Sequence, residues 1–131
     1  MTARTIKLAV SLPAPPARLY SMYLDPIEHA AFTGSPVTIS EKPGTPFRAF
    51  DGVLTGTMLQ TVPGRLVVQS WRSPHWSTDD VDSTLILTFV PEADGGRIEL
   101  VQVNVVDHDY AGVCQGWEKY YWAPWHAYLS R

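Results

Sequence analysis

The sequence predicts one α+β domain, residues 1–131, in which a curved antiparallel sheet, two short helices and a long C-terminal helix enclose an apolar pocket. Two observations predict this fold class. Short apolar segments alternate with turn residues from Pro36 to Val106, which is typical of strands joined by hairpins. From Tyr110 onward, apolar residues recur at helical spacing instead. A chain of 131 residues is long enough to bury such a core.

The first strand and the first helix are predicted on either side of a proline cluster. Apolar and polar side chains alternate over Thr5–Leu12, which indicates a strand. Pro15 and Pro16 follow, and proline suits the first turn of a helix, where an N–H group has no intrahelical acceptor. We therefore expect a short helix over Ala17–Leu24.

A second short helix is predicted directly after the first. Asp25 is placed to cap it, Pro26 to occupy its first position, and Glu28 to reach back to the cap. Gly34 is expected to end it in the left-handed conformation.

Six further strands are predicted as an antiparallel meander. Tight turns such as Asp51-Gly52 and Pro63-Gly64 separate them. The polar, acidic stretch from Ser73 to Asp82 is expected to be the long loop. The predicted strands are Pro36–Ser40, Phe47–Phe50, Val53–Val62, Arg65–Arg72, Ser83–Val90 and Arg97–Val106.

The C-terminal segment predicts a helix with one broad aromatic face. Asp107 and Asp109 stand where capping residues are expected, and Pro124 should kink or end the helix. The concave face of the sheet is the surface expected to cover this face. Its members are Val113, Cys114, Trp117, Tyr120, Tyr121, Pro124, Trp125 and Tyr128.

Several short motifs follow one another along nearly the whole chain. They are Ala14-Pro15-Pro16, Asp25-Pro26, Phe50-Asp51-Gly52-Val53-Leu54-Thr55-Gly56-Thr57, Val62-Pro63, Leu66-Val67-Val68-Gln69-Ser70-Trp71-Arg72 with Trp76, Leu100-Val101-Gln102, and Gly116-Trp117-Glu118-Lys119-Tyr120-Tyr121-Trp122. Their order and spacing, rather than any single motif, resemble the activator of Hsp90 ATPase homologue family, within the START/Bet v 1-like (SRPBCC) superfamily.

This resemblance implies the helix-grip fold but not a function, because the fold hosts carriers, cyclases and chaperone regulators. Members that stimulate Hsp90 are expected to carry an additional N-terminal domain. The chain resembles the small stand-alone bacterial members, for which the family name describes ancestry.

Composition excludes several classes of function. The formal net charge of −3, without a basic cluster, argues against nucleic acid and anionic membrane surfaces as partners. Cys114 is the only cysteine, which indicates a reducing, cytoplasmic location. Nucleotide-binding glycine motifs are absent from the sequence, so no cofactor is expected. No metal is expected at Asp107-His108-Asp109 either, since three adjacent side chains converge poorly on one ion.

Two amides on the last predicted strand define a first hypothesis about the pocket. If Arg97–Val106 keeps a regular register, Gln102 and Asn104 project into the interior with Ile98. A bulge near Leu100 would instead turn Val101, Val103 and Val105 inward. The apolar triplet is the stronger signal, and both arrangements remain open.

Aromatic residues supply the other candidates for ligand contact. Trp71, His75 and Trp76 lie where a strand enters the long loop and are expected at the pocket mouth. His75 is the titratable side chain suited to acid–base chemistry there, although an exposed loop residue is an alternative. The remaining candidates lie on the last helix and are Trp117, Tyr120 and Tyr121.

Three hypotheses about function follow. The first is binding of a small hydrophobic or aromatic molecule, the second a cyclase-like or dehydratase-like enzyme using His75 or a tyrosine. The third is a protein-interaction module, either homodimeric or chaperone-linked. An interior cavity of roughly 300 Å³ or more would support the first two hypotheses.

Overall fold

The computed structural model describes residues 3–131 and has the predicted helix-grip architecture. Seven antiparallel strands form one curved open sheet in the order β1-β7-β6-β5-β4-β3-β2. The strands are β1 (Ala3–Leu12), β2 (Val37–Thr38), β3 (Pro46–Ala49), β4 (Leu54–Val62), β5 (Leu66–Trp71), β6 (Ser83–Glu92) and β7 (Gly95–Val106). Every predicted strand is present, and the stretch from Ser73 to Asp82 is the long loop.

Helices α1 (Pro16–Leu24) and α2 (Pro26–Thr33) connect β1 to β2. Asp25 caps α2 as predicted, since its Oδ1 accepts a hydrogen bond from the backbone N–H of Ile27 at 2.8 Å. Gly34 ends α2 in the left-handed conformation, with φ of 78°. Glu28 does not reach back to the cap. It binds Arg18 through two hydrogen bonds of 2.5 and 2.6 Å, because a bidentate guanidinium pair is the stronger interaction.

The C-terminal helix does not end at Pro124. It comprises α3 (Tyr110–Gly116), a π-helical turn (Trp117–Trp122) and α4 (Ala123–Leu129). In the π turn the N–H of Ala123 bonds the carbonyl of Glu118, five residues back. Pro124 then falls in the first turn of α4, where its missing N–H costs little.

The π turn also changes which aromatic residues point inward. Trp117 and Trp122 are both buried, and their rings stack with centroids 5.4 Å apart. Tyr120, predicted on the inward face, is 49% exposed instead. A wider turn places residues five apart on one face, and helical spacing of three and four does not anticipate this.

A bulge in β7 resolves the two arrangements predicted for that strand. Gln102 faces the interior and is fully buried, as the regular register requires. Asn104 has a left-handed backbone, with φ of 65°, and its amide donates to the carbonyls of Val81 and Asp82 at 3.2 Å. The bulge therefore lies at Asn104 rather than near Leu100. Asn104 points to the long loop, contrary to the prediction.

The core lies between the concave face of the sheet and the helices. Trp125 of α4 is completely buried and stacks on Phe32 of α2 with centroids 4.2 Å apart. Within residues 3–131, no helix is long and apolar enough to cross a membrane. The space left between the helix and the sheet is concentrated at one end, around the π turn and α3.

The pairing of β4 with β5 predicts a strong requirement for glycine at position 56. A Cβ atom there would lie 1.9 Å from the carbonyl oxygen of Ser70. We expect Gly56→Ala to lower the free energy of unfolding by about 2–3 kcal/mol, because a strand must move to relieve the clash. Urea denaturation followed by tryptophan fluorescence measures this.

Gly116→Ala is the matched control. A Cβ at Gly116 meets Tyr120 at 3.7 Å, an ordinary contact, and alanine favours helix over glycine. This variant should be as stable as the parent or more stable. Equal effects of the two substitutions would contradict the steric explanation for Gly56.

Candidate functional site

A cavity of about 440 Å³ opens between the end of β5, the turn before β4 and the first turns of the C-terminal helix. Its wall is largely aromatic and aliphatic. The polar side chains lie on one side, where β5 enters the long loop and α3 begins. The lining residues are Phe50, Val53, Leu54, Trp71, Ser73, His75, Asp109, Gly112, Val113, Gly116, Trp117, Tyr120 and Tyr121.

Five of the eight residues predicted at the site line this cavity: Trp71, His75, Trp117, Tyr120 and Tyr121. His75 is exposed in the long loop, and Tyr120 is half exposed on the C-terminal helix. Trp71 and Trp117 are buried in the wall, with ring centroids 6.5 Å apart.

Trp76 lies behind the wall rather than in it. Its indole Nε1–H donates to Oδ2 of Asp109 at 2.8 Å, and its ring is 5.8 Å from that of Trp71. Asp109 occupies the first position before α3, but its side chain makes no capping hydrogen bond. The Asp109 carboxylate accepts the hydrogen bond from Trp76 instead, and this bond connects the long loop to the start of the C-terminal helix.

Gln102 supports the wall from the sheet side. Its Oε1 accepts a hydrogen bond from Trp117 Nε1 at 2.9 Å, and its Nε2 donates to Ser83 Oγ at 3.0 Å. Ser83 in turn donates to the backbone carbonyl of Trp71 at 2.8 Å. The amide thus satisfies the buried indole of Trp117 and fixes the plane of its ring. Asn104 takes no part in this arrangement.

A buried histidine supports the wall from the other side. His29 of α2 is fully buried, and its Nδ1 donates to the carbonyl of Tyr23 at 2.7 Å. The neutral ring therefore presents Nε2 as an acceptor, and the Tyr121 hydroxyl donates to it at 2.9 Å. Tyr23 donates its own hydroxyl to Oε1 of Gln69 at 2.5 Å.

Burial determines the protonation states of His29, Tyr121 and Tyr23. Burial lowers the pKa of His29 to about 4, and the hydrogen bond to the Tyr23 carbonyl only partly offsets it. Burial raises the pKa of Tyr121 well above its usual value, and it does the same for Tyr23. The imidazole and both phenols are therefore neutral near pH 7 and act as fixed hydrogen-bonding groups.

The mouth of the cavity is bordered by a strained turn. Phe50 and Asp51 both have left-handed backbones, with φ of 53° and 58°, and Gly52 follows with φ of 85°. Each non-glycine residue in this conformation costs about 1–2 kcal/mol. The ring of Phe50 packs edge-on against Tyr120 and Tyr121, with centroids 5.5 and 5.8 Å away. These aromatic contacts offset part of the cost.

His29, Phe50 and Asp109 are parts of this site that were not predicted from the sequence. His29 stands three residues before the buried Phe32, so helical spacing in α2 could have placed it on the inward face. No sequence pattern links it to Tyr121, which is 92 residues away. Phe50 belongs to a turn whose conformation is unusual for an aromatic residue.

Comparison with known proteins identifies relatives of this fold. A family model described as activator of Hsp90 ATPase homolog 1-like protein matches residues 13–129. An activator of 90 kDa heat shock protein ATPase homolog from Dictyostelium discoideum is 28% identical over 121 residues, which are 90% of this chain and 31% of that protein. The chain therefore spans about a third of the length of the curated relatives it matches.

Solved structures show the same architecture. An HSP90 activator from Plasmodium falciparum superposes with a TM-score of 0.78 at 18% identity and covers 89% of each chain. A protein from Chromobacterium violaceum superposes with a TM-score of 0.76 at 24% identity and covers 97% of each chain. At these identities the likeness concerns the fold alone.

The buried histidine predicts a defined pH dependence of stability. Between pH 6.5 and pH 4 the His29 side chain is protonated in the unfolded chain but stays neutral in the folded chain. Stability should therefore fall as the pH falls through this window, by about 3 kcal/mol from His29. Urea denaturation of the parent and of His29→Asn at pH 7 and pH 4.5 measures the difference in slope.

Replacement of His126, an exposed residue of α4, by glutamine controls for general effects of losing an imidazole. This variant should keep the pH dependence of the parent, whereas His29→Asn should lose a large part of it. Identical slopes for all three proteins would contradict the assignment of His29 as a buried neutral ring.

Proposed function

The chain belongs to the activator of Hsp90 ATPase homolog 1-like family, and we propose that its cavity binds a small hydrophobic or aromatic molecule. The observation that supports the proposal is the cavity of about 440 Å³, within the range of roughly 300–1,000 Å³ usual for ligand pockets. An apolar wall with a few polar groups on one side is the ordinary design of such sites.

Hydrogen bonds hold two aromatic rings of the cavity wall in place. Trp117 is held from behind by Gln102, and Tyr121 is held from behind by His29. Rotating either ring into the cavity would break a buried hydrogen bond, which costs about 1–3 kcal/mol. Pre-organised aromatic surfaces bind ligands with little loss of side-chain entropy.

A second candidate function is interaction with a chaperone. The relatives from Dictyostelium discoideum and Homo sapiens are described as activators of a 90 kDa heat shock protein ATPase. At the cavity mouth Val53 and Tyr120 are 50% and 49% exposed, so two large side chains could contact a protein partner or a second copy of the chain. The ATPase rate of a purified Hsp90 with and without this chain tests it.

The enzymatic alternative has weaker support. The Tyr121 hydroxyl donates its hydrogen bond to His29, and burial raises the pKa of this phenol. Tyr121 is therefore a poor general base. His75 lines the cavity but is exposed, so burial does not adapt it to proton transfer. We place the binding function in the cytoplasm, as the single cysteine suggests.

Filling the cavity should weaken binding without harming the fold. Gly116 lines the cavity, and a Cβ atom built there makes an ordinary contact with Tyr120 at 3.7 Å. We expect Gly116→Leu to fold normally and to weaken any saturable quenching of tryptophan fluorescence by apolar molecules at least tenfold. Native mass spectrometry of the parent should in addition detect a co-purified small molecule.

Gln115→Leu is the matched control, because residue 115 is exposed on the same helix and does not line the cavity. It should bind as the parent does. A parent protein that carries no small molecule and shows no saturable quenching would refute the proposal and favour protein interaction.

A further inference from the structure

Asp109 contributes a carboxylate to the cavity wall. Trp76 donates to its Oδ2 at 2.8 Å, so the carboxylate is held through one oxygen. The other oxygen, Oδ1, lies beside Gly112, where a Cβ atom would be only 3.0 Å away from it. Because Gly112 also lines the cavity and has no side chain, it leaves Oδ1 uncovered on that side.

The negative charge of Asp109 has no cation within ion-pair distance among residues 3–131. Its acidic neighbours do: Asp107 pairs with Arg4 at 3.5 Å, and Asp82 in the long loop pairs with Arg72 at 2.9 Å. The described residues that line the cavity include no lysine or arginine. A neutral apolar molecule that filled the cavity would therefore desolvate an unpaired carboxylate, which is costly. A ligand that brings its own cation avoids this cost.

The rest of the wall suits a positively charged group on an aromatic body. The face of an aromatic ring attracts a cation, and ring edges and faces also pack well against a flat aromatic molecule. Lys119, whose ammonium lies 5.2 Å from the centre of the Tyr120 ring, does not line the cavity. The aromatic residues of the wall are Phe50, Trp71, Trp117, Tyr120 and Tyr121.

We propose that the cavity selects aromatic molecules that carry a protonated amine and disfavours aromatic carboxylates. The ammonium group donates to Oδ1 of Asp109, and the aromatic body packs against the rings of the wall. This inference rests on the proposed function, because it specifies the charge of the molecule that occupies the same cavity.

Three probes with one bicyclic body test the inference by isothermal titration calorimetry at pH 7.5, where an ordinary imidazole is mostly neutral and an alkylamine is protonated. They are 1-naphthylmethylamine, 1-naphthylmethanol and 1-naphthoate. We expect the ammonium to bind about fivefold more tightly than the alcohol, because a hydrogen bond between charged groups contributes more than one from a neutral donor. The carboxylate should bind about fivefold more weakly than the alcohol, because it meets like charge without a cation.

Asp109→Asn assigns the preference to one side chain. It removes the charge and keeps an acceptor for Trp76, so it should abolish the advantage of the ammonium over the alcohol. Asp107→Asn is the matched control, because residue 107 is an exposed carboxylate two positions earlier that does not line the cavity. This variant should keep the preference of the parent. Gly116→Leu should weaken the binding of all three probes, which locates them in the cavity.

The outcomes separate the inference from the proposed function. Equal affinities for the ammonium and the alcohol overturn the inference while leaving the cavity a binding site. A preference that survives Asp109→Asn, or that Asp107→Asn removes equally, also overturns it, and so does a carboxylate that binds as tightly as the ammonium. Failure of all three probes to bind the parent, or binding that Gly116→Leu leaves unchanged, overturns the proposed function as well.

Discussion

Two hydrogen bonds between the C-terminal helix and the rest of the molecule determine the shape of the interior. Trp117 donates to Gln102 on the sheet, and Tyr121 donates to His29 on α2. Each bond satisfies polar groups that would otherwise be buried without a partner. Together they hold two large rings at fixed positions, so the helix covers the sheet without collapsing onto it. The cavity is the space that these two bonds preserve.

The division between apolar and polar walls follows from this arrangement. The helix contributes aromatic rings to the wall because Trp117 and Tyr121 are anchored at their polar atoms by Gln102 and His29. The polar wall comes from a different source, the junction where β5 leaves the sheet and the long loop begins. There Arg72 binds the carbonyl of Asp80 at 2.7 Å and the carboxylate of Asp82 at 2.9 Å, and so holds the loop beside the cavity.

Much of the fold was predictable, and the reasons differ between elements. Strand periodicity and the residues Asp25 and Gly34 act locally, so pattern and capping chemistry identify them without knowledge of the whole. The residues of the site that were found, such as Trp71 and Tyr121, are aromatic and stand at the ends or on the faces of predicted elements. The pairing of Tyr121 with His29 joins positions 92 apart, and no local pattern encodes it.

The exposure of Tyr120 and the outward turn of Asn104 have a common cause. Each lies where regular geometry is interrupted, by the π turn in one case and by a left-handed bulge residue in the other. The period fails at the interruption itself, where the extra residue has no place in a regular pattern. Trp125, beyond the π turn, is buried as its spacing predicts.

The π turn has a further consequence for how the sequence of this helix can change in evolution. The turn holds one residue more than the same length of α-helix. The inward-facing positions before Trp117 and after Trp122 therefore do not follow one continuous 3.6-residue period in the sequence. Deleting one residue between them would convert the wide turn to α-helix and leave Val113 facing the cavity and Trp125 facing Phe32, because the wide turn already absorbs the extra residue. The same deletion in the regular helix on either side would rotate every following residue by about 100°. Alignments of related chains should therefore place one-residue gaps within Trp117–Trp122.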